Sequence, residues 1–116
     1  MGVSLKRIVA GDGKNNPSRG QTVTVHYQGY YLNPKNRKER ILFDSSRKRK
    51  RPFKFRVHCG EVIPGWDDGV SKMSLGERVE ITMTQDCAYG KHGFANGFLI
   101  PGDATLVFDV ELLGFS

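Results

Sequence analysis

Cysteine is scarce in this chain: Cys59 and Cys87 are the only two in 116 residues. Two thiols cannot lay down a dense disulfide scaffold, so a reducing, intracellular compartment is expected. No apolar run approaches the ~18 residues that a membrane-spanning helix needs. The stretch Met1-Gly2-Val3-Ser4-Leu5-Lys6-Arg7 lacks the apolar centre of a signal peptide. Lys6 stands where a myristoylation signal wants Ser or Thr. No Gly-x-Ser-x-Gly elbow is present. His26, His58 and His92 fall on separate segments without the spacing of metal ligands. Gly11-Asp12-Gly13 opens like a phosphate-cradling loop but runs into Asn16-Pro17 instead of a helix start. His58 and Cys59 are neighbours on an expected strand, where adjacent side chains point to opposite faces, so they make no nucleophile pair. Metal-dependent and nucleophilic chemistries thus lack their usual residues, and no metal or cofactor is expected.

Charge is present, and it is concentrated. Residues 35 to 56 hold eleven Lys or Arg against Glu39 and Asp44, a local +9, while the remainder of the chain carries −3. Inside that block Arg47-Lys48-Arg49-Lys50-Arg51 is an unbroken run of cations. Such a run can bind phosphates, serve as a nuclear-import signal, or sit solvated. Nucleic-acid binding through Arg47 to Arg51 has less to support it, because no exposed aromatics are interleaved for base stacking.

Alternation supplies most of the expected structure. Val3 to Leu5 reads as a short, weakly patterned strand, followed by turn signals at Gly11-Asp12-Gly13 and Pro17-Ser18-Arg19-Gly20. Thr22 to Tyr27 alternates, with Val23, Val25 and Tyr27 on one face. Tyr31 to Arg40 is polar, contains Asn33-Pro34, and reads as a loop. Ile41-Leu42-Phe43 is a short apolar run, followed by a cationic loop that Pro52 closes. Phe53, Phe55 and Val57 alternate with charged residues and predict another strand. Pro64-Gly65-Trp66 opens the one expected helix. Trp66, Val70 and Met73 share one of its faces, Asp67 and Asp68 suit its N-terminal end, and Gly76 stops it. Val79, Ile81 and Met83 face inward in a further strand. After a Gly-rich stretch from Asp86 to Gly102, Leu106, Phe108, Val110 and Leu112 form the last. The expectation is an α+β domain over residues 1–116: an antiparallel sheet with one wet face and a helix on the apolar one.

Aromatic side chains gather at turning points: Tyr27, Phe43, Phe53, Trp66, Tyr89 and Phe108. They can be plain core, as Phe55 and Val79 are read to be. A Trp exposed at a helix end among aromatics can instead floor an apolar pocket.

Seven segments carry a resemblance. They are Val25-His26-Tyr27-x-Gly29, Phe43-Asp44-Ser45-Ser46-Arg47, Pro52-Phe53-x-Phe55, Val62-Ile63-x-Gly65-Trp66-Asp67-x-Gly69-Val70, Ala88-Tyr89-Gly90, Ile100-Pro101 and Ala104 to Leu112. In this order and spacing they resemble the FKBP-type peptidyl-prolyl isomerases, from about Val3 to Leu113. The resemblance implies a five- or six-stranded antiparallel sheet wrapped around one short helix, with a pocket between them. By position, it implies Trp66 as the floor and Tyr27, Phe43, Phe53, Val62, Ile63, Ile100 and Phe108 as walls. Asp44 and Tyr89 would supply polar contacts, the Ile63 N–H would bind a ligand carbonyl, and Glu61 would add a rim carbonyl. Arg49 would pair with Asp44 and Tyr27, and Phe94 and Leu99 would stand at the rim. Asp44, Tyr89, Trp66 and Phe43 are the implied catalytic set.

The implied activity is isomerisation of X-Pro bonds in peptides and proteins. The implied ligands include tacrolimus and rapamycin, with a drug-mediated phosphatase or kinase partner. A monomer in the cytoplasm is implied, with nuclear import as one reading of the basic run. No membrane association is expected. The Asn33–Ile41 and 93–99 segments are longer than in small family members. Phe94 stands near a common His, Cys87 replaces a common Tyr, and Arg47 to Arg51 is more basic than usual, which favours acidic partners.

Overall fold

The computed structural model describes residues 3–33, 35–84 and 105–116. Six strands form one antiparallel sheet: β1 (Val3–Val9), β2 (Thr22–Asn33), β3 (Asn36–Ser45), β4 (Phe53–Arg56), β5 (Arg78–Met83) and β6 (Leu106–Phe115). Two helices join them, α1 (Ser46–Arg49) and α2 (Pro64–Ser71). The strand order is β1-β5-β6-β2-β3, and β4 also pairs with β2. β2 therefore has one edge on β6 and shares the other between two partners. Its first half, Thr22 to Val25, pairs with β4, and its second half, from Gln28, pairs with β3.

The inward residues follow the period of two. Val23, Val25 and Tyr27 are buried, as are Val79, Ile81 and Met83, and Leu106, Phe108, Val110 and Leu112. Val107 is buried as well, on the other face of β6. α2 closes the apolar face with Trp66 and Val70, and Met73 follows just beyond its end. The helix comes close to the sheet: a Cβ on Gly69 would lie 2.8 Å from Ile81 Cδ1, so a larger residue there would push the two apart.

Several expectations change. Tyr31 to Arg40 is not a loop; β2 and β3 run through it as a hairpin, with register shifts at Gly29/Tyr30 and Leu32/Asn33. The pairing of β2 with β6 ends at Tyr31–Leu106, so the hairpin tip projects past the rest of the sheet. At the tip Lys35, Asn36, Lys38, Glu39 and Arg40 are exposed, and the alternating apolar signal is missing. The Asn33 side chain folds the tip instead, accepting from the Lys35 N–H at 2.9 Å. The cationic stretch after Ser46 is not all loop either: it opens with the single helical turn α1, capped by the Ser45 side chain, which accepts from the Lys48 N–H. α2 ends at Ser71, with Lys72 as its C-cap, and not at Gly76. Gly76, at φ +85, serves the turn into β5, a left-handed conformation that glycine tolerates. β1 extends to Val9. His58 and Cys59 sit in the turn after β4, with His58 at φ +57, so strand alternation is not what separates them.

Candidate active site

Trp66 is the centre of an aromatic cluster. It is 4% exposed, so it lies beneath the surface, not open at the helix end as its position suggested. Pro64 at the first helical position sets the turn that brings it inward. Four rings surround the indole: Tyr27 at 4.8 Å, Phe108 at 5.4 Å, Phe55 at 5.8 Å and Phe53 at 5.9 Å between centroids. Three of these meet it edge to face, the arrangement that aromatic quadrupoles favour. Phe43 joins through Phe108 at 5.7 Å. The close approach of these rings depends on Gly29, where a Cβ would lie 2.9 Å from both Phe43 and Phe108. The indole N–H is buried and finds no partner among the described residues.

The polar half of the site hangs on one gap in the sheet. At Tyr27, β4 has ended and β3 has not yet begun, so the outer edge of β2 has no strand to bond. The Ser46 hydroxyl fills the place: it accepts from the Tyr27 N–H at 2.8 Å and lies 3.3 Å from the Tyr27 carbonyl. It also lies 2.9 Å from His26 Nδ1. Ser46 is fully buried, and sequence reasoning did not single it out. The signal for it was a Ser-Ser pair ahead of the cationic run, the composition of a helix start.

From that anchor α1 turns Arg49 back toward β3. Arg49 donates to Asp44 Oδ1 and, at 3.0 Å, to the Tyr27 hydroxyl. The Tyr27 hydroxyl in turn donates to Asp44 Oδ2 at 2.5 Å. The guanidinium carbon lies 5.8 Å from the Tyr27 ring centroid, within cation–π range. Burial, and then the bond to Asp44, push the Tyr27 phenol up to about 12. Tyr27 therefore stays protonated as a donor, and Asp44 has both oxygens engaged. A carboxylate so occupied is a fixed dipole partner and not a free general base.

The other expected residues take these places. Phe53, Val62 and Ile63 are half-buried and pack against the core. Ile63 is the N-cap of α2, and its carbonyl accepts from the N–H groups of Trp66 and Asp67. Its own N–H makes no hydrogen bond among the described residues. Glu61 stands apart, its carboxylate held by the Arg56 backbone and guanidinium, both at 2.8 Å. These bonds hold Glu61 below the usual carboxylate range, the backbone one most. Tyr89, Ile100, Phe94 and Leu99 lie outside the described residues, as do Cys87 and His92. Among the described residues no group of three His, Cys, Asp or Glu gathers where a metal could bind, and no helix is long and apolar enough to cross a membrane. Asp12 is spent locally, accepting from the N–H groups of Lys14 and Asn15, and the Gly13 N–H is bonded to Ser74. The Gly11–Gly13 turn is thus fastened to the body of the protein.

An aromatic floor beside an occupied carboxylate can bind and reshape a ligand without making or breaking a covalent bond. The class this defines is a conformational isomerase or an apolar binding protein. The family model of the FKBP-type peptidyl-prolyl cis-trans isomerases matches residues 13–113. FK506-binding protein 1 of Yarrowia lipolytica is 51% identical over 116 residues, all of both chains. Peptidyl-prolyl cis-trans isomerase FKBP1A of Xenopus laevis is 50% identical over 113 residues, 97% of each. The chain belongs to the FKBP-type peptidyl-prolyl cis-trans isomerases, and it is an enzyme of that kind.

Proposed function

We propose that X-Pro bonds turn over above the Trp66 cluster, and that tacrolimus and rapamycin compete for the same place. The observation that carries the reading is the joining of two unlike halves through Tyr27. Its ring touches Trp66, and its hydroxyl binds Asp44 and Arg49. A relative 51% identical throughout is named for binding FK506, the compound tacrolimus, which supports the drug-binding part.

The chemistry asks for little else. Amide resonance sets a barrier of roughly 18–20 kcal/mol, while the X-Pro trans preference is only about 0.5–1 kcal/mol. No covalent bond breaks. A planar amide is more polar than the twisted transition state, so an apolar aromatic floor disfavours the ground state more. Shortening tens of seconds to milliseconds takes about 5–8 kcal/mol. The proline ring rests on the aromatic cluster, and the Ile63 N–H orients the chain by donating a hydrogen bond to one of its carbonyls. Asp44, Phe43 and, by resemblance, Tyr89 complete the catalytic set. A drug-bound complex with a phosphatase or kinase, a monomeric state and a cytoplasmic setting belong to the same reading.

The test follows cis–trans relaxation of a short Leu-Pro peptide, then adds tacrolimus. Acceleration that the drug abolishes is the expected result. A folded protein that leaves the relaxation unchanged overturns the reading. Drug binding without acceleration leaves a proline-binding module.

A further inference from the structure

The five consecutive cations are not equivalent. Arg47 is paired with Glu111 at 2.8 Å, and Arg49 with Asp44. Lys48, Lys50 and Arg51 have no ion pair among the described residues. Lys50 occupies the left-handed cap of α1, at φ 54, which gives it a local role. The Lys48 side chain has none. Its backbone N–H donates to the N-cap Ser45 three residues back, but its ammonium takes no part in that cap.

Lys48 also faces something. A cavity of about 310 Å³ is lined by Leu42, Phe43, Asp44, Ser45, Lys48 and Arg49. That is near the lower end of ligand-sized cavities, about 300 Å³. It lies on the Asp44 side of the candidate active site and shares Phe43, Asp44 and Arg49 with it. Leu42 is half-buried and Phe43 buried, so part of the wall is apolar. Arg49 and Asp44 neutralise one another there. Lys48 is the uncompensated charge of the cavity.

We propose that this cavity is a specificity subsite in which Lys48 receives an acidic side chain of the peptide whose X-Pro bond is being isomerised. The methylenes of a Glu would lie on Leu42 and Phe43, and its carboxylate would meet the ammonium. Charge complementarity and continuity with the catalytic residues favour an acidic peptide over a nucleic acid. This inference rests on the reading that X-Pro bonds turn over beside Trp66 and Asp44.

The test uses Leu-Pro peptides of equal length in which one Glu, Lys or Ala is walked along the positions flanking Leu-Pro. For wild type, kcat/KM should be about two- to five-fold higher for Glu than for Ala at one flanking position, the scale of a part-exposed ion pair. Lys there should be worst, and high salt should remove the difference. Lys48→Glu, which completes a capping box with Ser45, should invert the preference, and Lys48→Ala should abolish it, each read as the ratio of kcat/KM for the Glu or Lys peptide to that for the Ala peptide with the same variant. Equal rates for Glu, Ala and Lys peptides in wild type overturn the subsite but leave the isomerase reading intact. Loss of oligonucleotide binding in Lys48→Glu, with peptide preference unaltered, also overturns it and makes the run a nucleic-acid surface. No acceleration of any peptide by folded protein overturns both readings together.

Discussion

The two helices differ in what holds them. α2 is held by burial: Trp66 and Val70 are 4% and 0% exposed, and no side chain caps its N-terminus. α1 is a single turn held by polar bonds: the Ser45 cap, the Ser46 hydroxyl on Tyr27, and ion pairs from Arg47 and Arg49. One helix brings the apolar half of the site and the other fixes the polar half. Tyr27, on the strand between them, belongs to both. Damage to α2 should therefore cost the most stability, and damage to α1 less stability but more of the alignment of the site.

The largest effect that would break this comparison is at Trp66. Trp66→Ala should lose about 3–5 kcal/mol in urea unfolding, because the four surrounding rings cannot collapse onto the space. A loss below about 1 kcal/mol would mean the indole is not packed as described. Gly29→Ala should cost about 1–3 kcal/mol by forcing Phe43 and Phe108 off their rotamers. Its near-ultraviolet circular dichroism should change with it.

Ser46→Ala sharpens the comparison. It strips the Tyr27 N–H of its partner, and a buried donor left unmade costs about 1–3 kcal/mol. Amide exchange at Tyr27 should accelerate selectively, while exchange in β5 and β6 should follow only the global change. Arg49→Met should move stability little, since the pair is half-exposed, yet reduce kcat/KM for a Leu-Pro peptide about two- to ten-fold. An unchanged kcat/KM would show that the Arg49 contact with Asp44 and Tyr27 does not serve catalysis.

The smallest effect is a titration. Tyr27 has its phenol raised to about 12 by burial and the Asp44 bond, against an ordinary 10.0. A raised folded value means the native state holds its proton longer than the unfolded chain. The associated stability is complete below the unfolded value and is lost between it and about 12 as pH rises. Ultraviolet absorbance should show one tyrosine ionising late, and Tyr27→Phe should remove that component.

Much of this architecture was legible from the period of two. Val23-Val25-Tyr27, Val79-Ile81-Met83 and Leu106 to Leu112 each announce one buried face, and all are buried. The hairpin from Tyr31 to Arg40 was not legible, because its tip passes beyond β6 and, among the described residues, meets no core to record in its side chains. α1 was hidden for a different reason. A run of cations looks solvated, and the sequence does not show that Glu111 and Asp44 wait for two of them across the fold. The pairing of Arg49 with Asp44 and Tyr27 came from family resemblance, not from spacing. Ser46 was missed because its role depends on where β4 ends and β3 begins on a shared edge, a fact of topology rather than of composition.

The most direct measurement is the indole N–H resonance of Trp66, the only tryptophan in the chain, followed by NMR during titration with a Leu-Pro peptide. Cis–trans exchange of the peptide is read from the same samples. The site described here predicts that the indole signal shifts, and that the shift and the exchange rate saturate together. Accelerated exchange with a stationary Trp66 signal would contradict it and place the isomerisation elsewhere on the protein.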